Sequence, residues 1–189
     1  QTIVTINFTL DKTPPEAIIY FEPTLNELKV EGTDNLTPPV KVAVNKPEYT
    51  LTDQAGNTLV LMLKEKIEPE DDDDKDKDKE DNRKEKENEK DPHELKVSLL
   101  SLNYNGNIFT PPKNKLKYEW AYDEKGAIKE LEQKIKVKKQ FELKAKYEAK
   151  KGITKVMVKK EGMEKEKKEL PGLILLKLIT RQGNLEGRY

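Results

Sequence analysis

Cysteine is absent from all 189 residues, which excludes disulfides, thiolate nucleophiles and zinc–thiolate sites. There is one histidine, His93. It follows Asp91 and Pro92 at the end of a charged run, where an exposed side chain is expected. The chain carries no Gly-x-Ser-x-Gly element, no phosphate-cradling glycine loop and no His-Glu-x-x-His, so no enzyme is expected. No apolar run approaches the roughly 18 residues of a membrane span. Net charge is also lacking: 36 basic and 36 acidic residues cancel to zero. A balanced chain gives no reason to expect nucleic acid or an anionic membrane as the main partner, and without a long apolar run no membrane insertion is expected. It opens at Gln1 with no methionine or visible signal peptide, as expected of a processed or trimmed chain.

What is present is charge and alternation. Charged residues make up 38% and hydrophobic residues 34%, so a modest core beneath an ion-rich surface is expected. Val4, Ile6, Phe8 and Leu10 alternate with Thr5, Asn7 and Thr9, the two-residue period of a strand. Residues 17–21 and 27–31, Val40, Val42 and Val44, Tyr49 and Leu51, and residues 59–63 give further short strands, separated by turn chemistry at 32–35 and 53–57. Pro38 and Pro39 exclude helix there.

From Lys64 to Glu94 the composition becomes almost wholly Asp, Glu and Lys, with little to bury, so a solvated linker is expected, with a charged helix over residues 79–90 as the alternative. Beyond it, Leu95, Val97 and Leu99 form one alternating face. Residues 103–107 contain the Asn-Gly of a hairpin turn. Leu116, Tyr118 and Trp120 alternate with charge, as do Ile135, Val137, Phe141, Leu143, Ala145 and Tyr147. Residues 127–133 place Ile128 and Leu131 at a helical spacing, and the apolar run 173–179 reads as a central strand. The fold class expected is all-β: an N-terminal strand (1–13), a first β-sandwich (14–63), a charged linker (64–94) and a second β-sandwich (95–189).

Three motifs, Asp11-Lys-Thr-Pro-Pro15, Gly32-Thr-Asp-Asn35 and Thr52-Asp-Gln-Ala-Gly-Asn57, together with the alternation before Asp11, resemble the tandem Ig-like repeats of bacterial surface proteins. The resemblance covers residues 1–63. It implies an extracellular or cell-surface location and an Ig-like first domain. It also implies that residues 2–10 are the last strand of a repeat whose body is missing. Such a strand needs a sheet to join. Two functions compete. One is a filament subunit donating Val4, Ile6, Phe8 and Leu10 to the next copy, head to tail. The other is a stalk or adhesin domain, with glycan as a candidate ligand.

Asp11, Asp34 and Asp53 fall in three turns expected at sandwich ends, with Asn35 and Asn57 nearby. Asp and Asn favour turns in their own right, and turn chemistry alone accounts for all of them. No cofactor is expected on that reading. If the acidic turns do hold an ion, hard oxygen donors point to calcium. A glycan platform would draw on Tyr104, Tyr118, Trp120 and Tyr122, but Tyr118 and Trp120 share the parity of Leu116, which favours the core.

Overall fold

Ala17, Ile19 and Phe21 are fully buried on one side of the first described strand, β1 (Glu16–Glu22). The computed structural model describes residues 10–69 and 93–189. Among these, 14 strands and no helix occur, and no helix is long and apolar enough to cross a membrane. After β1 come β2 (Glu27–Thr33), β3 (Lys41–Asn45), β4 (Glu48–Thr52) and β5 (Thr58–Pro69). Following residues 70–92 are β6 (His93–Tyr104), β7 (Asn107–Phe109), β8 (Asn114–Tyr122), β9 (Ile128–Val137) and β10 (Phe141–Glu148). The chain ends through β11 (Ile153–Lys160), β12 (Glu166–Pro171), β13 (Lys177–Arg181) and β14 (Asn184–Arg188).

The strands form two sheets. The smaller runs β14-β13-β1-β2; the larger runs β12-β11-β10-β9-β8-β6-β5-β4-β3, with β7 joined to β6. All pairs are antiparallel. The core lies between the sheets as one cluster, drawing on Ile19 and Phe21 from one side and Leu61, Leu102, Tyr118 and Ile135 from the other. The Phe21 ring stacks on Tyr118 with centroids 5.2 Å apart and tilts against Trp120 at 4.5 Å. Gly187 of β14 lies so close to β10 that an added Cβ would sit 2.5 Å from Leu143 and 2.6 Å from Phe141. A side chain there would have to displace those of Leu143 and Phe141, which glycine leaves in place.

The all-β class and its sandwich character follow the expectation, but the division into two separate sandwiches does not. Ala17 pairs with Thr180 and Tyr20 with Lys177, so β1 takes a partner from the far end of the chain. The larger sheet crosses the expected linker as well, because β5 and β6 pair from Leu59↔Tyr104 to Pro69↔His93. The physical reason is burial: neither half alone has a second sheet wide enough to cover its apolar face. Residues 64–69 and 93–94, expected in the linker, are therefore strand; the rest of that run lies outside the described residues. Residues 128–137 are strand rather than helix, since the alternation of Leu131, Gln133, Ile135 and Val137 continues through the segment. The run 173–179 becomes strand only from Lys177. Before that it links β12 of the larger sheet to β13 of the smaller, held by Gln133, whose Nε2 donates to the Ile174 carbonyl (2.8 Å) and whose Oε1 accepts from Leu176 N–H (2.9 Å).

Candidate metal centre

Three loops meet at one end of the sandwich. Asp11 lies on the approach to β1, Asp34 in the β2–β3 connection and Asp53 between β4 and β5. Each is positioned by a local turn of the kind its side chain favours. Asp11 Oδ1 accepts from Thr13 N–H at 2.9 Å. Asp34 Oδ1 accepts from Leu36 N–H at 2.8 Å and Thr37 N–H at 2.7 Å. Asp53 Oδ1 accepts from Asn57 N–H at 2.8 Å, and its Oδ2 from Asn57 Nδ2 at 2.9 Å.

Longer-range bonds tie the loops together. The Thr37 hydroxyl donates to Asp11 Oδ2 at 2.6 Å, and Asn57 Nδ2 reaches the Asp11 carbonyl at 3.2 Å. Asn105, in the β6–β7 turn, donates to Asn57 Oδ1 at 3.1 Å and accepts from Thr58 N–H at 2.7 Å. The outcome is that one carboxylate oxygen each from Asp11, Asp34 and Asp53 lies within 4.8 Å of the others. Asp11 and Asp53 are buried and Asp34 is half-buried.

Among the described residues, none of the three carboxylates has an ion-pair partner. Like charges this close repel one another, the more so where water is partly excluded. The hydrogen bonds from Thr37 and Thr13 outweigh burial and hold the Asp11 carboxyl below its ordinary value, which keeps it charged. Asp34 Oδ2 carries no hydrogen bond among the described residues. An all-oxygen donor set with three negative charges suits a hard divalent ion, and calcium tolerates the irregular geometry of loop ligands. Carbonyl or water oxygens would complete its coordination.

Asp11, Asp34 and Asp53 were expected in three separate turns, and the fold brings them together. Asn57 joins the cluster, whereas Asn35 is exposed and makes none of its bonds. Sequence reading overlooked Thr37 and Asn105. Thr37 had a signal, its spacing of three from Asp34 in a Ser/Thr–Asx turn; Asn105 had none, because its partner Asn57 is 48 positions away. Of the apolar set before Asp11, Leu10 is 66% exposed, and Val4, Ile6 and Phe8 lie outside the described residues. The aromatics considered for glycan are taken up elsewhere: Tyr104, Tyr118 and Trp120 are buried, and the Tyr122 hydroxyl donates to the Pro23 carbonyl at 3.0 Å. His93 is exposed at the head of β6, its ring 5.5 Å from that of Trp120.

No family model matches the chain, and no curated protein or solved structure matches it significantly.

Proposed function

We propose that this chain is a structural subunit of an extracellular, pilus-like fibre, joined to the next copy by donation of residues 2–10. The observation that carries the reading is the position of the acidic cluster beside Leu10. The alternating segment ends in a side chain turned to solvent, while the next residue, Asp11, is fixed by Thr37, Thr13 and Asn57. Leu10, the one member of the alternating set among the described residues, is thus left off its own core. Calcium held by Asp11, Asp34 and Asp53 fixes Asp11, the residue that follows the alternating segment. An Ig-like stalk or adhesin domain is the second reading; the cluster's place at one end of the sandwich favours it, since a preceding domain would join there.

Phe8→Asp separates the two readings. It puts a carboxylate where a neighbour's apolar surface expects a ring, at a cost of several kcal/mol. In a donating subunit, assembly seen by electron microscopy is lost and the melting temperature of the monomer is unchanged. Lost thermal stability, with no assembly to lose, would favour the stalk.

A further inference from the structure

A donated strand needs an open edge, and the edges of this fold are not alike. β12 carries Glu166, Lys167, Lys168, Glu169 and Pro171; β2 carries Glu27, Lys29 and Glu31; β14 carries Glu186 and Arg188. Charges and proline on an edge are what keep other strands away. β3 reads Lys-Val-Ala-Val-Asn, with one charge at its first position. Among the described residues it pairs with β4 on one side and with no strand on the other. β7 is likewise uncharged, but it is three residues long and confined between the turn at Asn105 and Gly106 and the pair Pro111 and Pro112.

The side chains of β3 carry the same message. Val42 and Val44 lie opposite Leu51 and Tyr49, both buried, so they face the sandwich interior. Val42 packs against the core, yet Val44 is 57% exposed. The inward face of this edge is covered at Val42 and open at Val44. We infer that β3 is the acceptor, and that residues 2–10 of a second copy add beside it as a further strand of the larger sheet. The inference rests on the strand-donation reading and names the surface on which it happens. Val4, Ile6, Phe8 and Leu10 recur at every second residue, so a strand laid there turns all four toward the side on which Val42 and Val44 lie. At about 3.3 Å per residue the nine-residue segment spans roughly 30 Å, enough to cover all of β3.

The absence of native cysteine allows a direct test in the full chain. Phe8→Cys with Val44→Cys, and Ile6→Cys with Val44→Cys, cover two registers; Phe8→Cys with Ile108→Cys on β7 is the control. On oxidation, a ladder of disulfide-linked multimers from either Val44 pair, collapsing on reduction, is the expected result. Val44→Lys is expected to abolish multimers with an unchanged melting temperature. A disulfide formed only within one chain would overturn the inference in favour of residues 2–10 covering their own β3. Multimers of the unmodified chain without linkage at Val44 above the control would overturn β3 as acceptor and leave donation standing. No multimers of the unmodified chain at all would remove the donation reading itself.

Discussion

Tyr118 shows how closely single side chains are matched to this core. Its ring is fully buried against Phe21, but its hydroxyl has no hydrogen-bond partner among the described residues. An unsatisfied buried hydroxyl costs about 1–3 kcal/mol, so Tyr118→Phe should stabilise the fold by about 1 kcal/mol, read as a raised denaturation midpoint. Three phenols also set an alkaline limit. Burial pushes the Tyr118 hydroxyl up; burial and the Glu65 carboxylate do the same for Tyr49; the hydrogen bond to Glu31 takes Tyr20 up to about 12. The unfolded chain ionises its tyrosines near pH 10, whereas the folded chain resists. Stability from these groups is therefore whole below pH 10 and falls as pH rises from 10 through 12 and beyond. Melting temperatures across that range should drop, and less steeply in Tyr118→Phe.

At the acidic cluster the sign is opposite for metal and for charge. Asp34→Asn removes one of three mutually repelling carboxylates, so the metal-free protein should be as stable as the parent or more so. The parent should gain roughly 2.7 kcal/mol at a calcium concentration 100 times its dissociation constant, and the variant should lose most of that gain. Thermal unfolding with calcium and with a chelator checks both halves. An equal calcium response in parent and variant would remove Asp34 as a ligand.

Among the elements, the solvent face of the larger sheet has an unusual register. Lys96 lies opposite Lys117, Lys117 opposite Lys134, and Lys134 opposite Lys144. Like charges directly opposite one another destabilise a sheet, and glutamates between the rows offset this. Glu94 reaches Lys96 at 2.9 Å and Lys117 at 3.1 Å; Glu142 reaches both Lys134 and Lys144 at 3.2 Å. Burial pushes the Glu142 carboxyl up, but hydrogen bonds from the two lysines prevail and hold it below its ordinary value. Glu142→Gln should destabilise by about 0.5–1 kcal/mol at low salt, because each partly exposed bridge is worth little alone. The loss should shrink as added salt screens the remaining lysines, which a denaturation series in sodium chloride reads directly.

The elements were largely legible in the sequence because their signals are local. Alternation placed β6, β8 and β10, an apolar run of β-prone residues placed β1, and Asn105-Gly106 fixed a hairpin in which both residues have positive φ, 49° and 90°. Partner choice was not legible. Nothing near Ala17 announces that its N–H will meet Thr180 Oγ1, 163 positions away; an alternating strand states which face is buried and not which strand lies beside it. For the same reason the three aspartates could be read as turn residues, whereas their convergence depended on the whole topology.

For the molecule as a whole, one shared core makes a specific demand. Asp71-Asp-Asp-Asp-Lys75 matches a protease recognition sequence, and a cut after Lys75 would divide the chain between β5 and β6. Because β5 pairs with β6 and β1 with β13, the two fragments should stay together through size-exclusion chromatography and unfold in one transition. Two independent transitions would restore the picture of separate halves. A second demand concerns growth. Head-to-tail addition that does not close has no preferred final size, unlike a symmetric dimer. Sedimentation of the full chain over rising concentration, with calcium present, tests this most directly: the account predicts an open-ended series of multimers, and a monomer that persists across the whole range would contradict it.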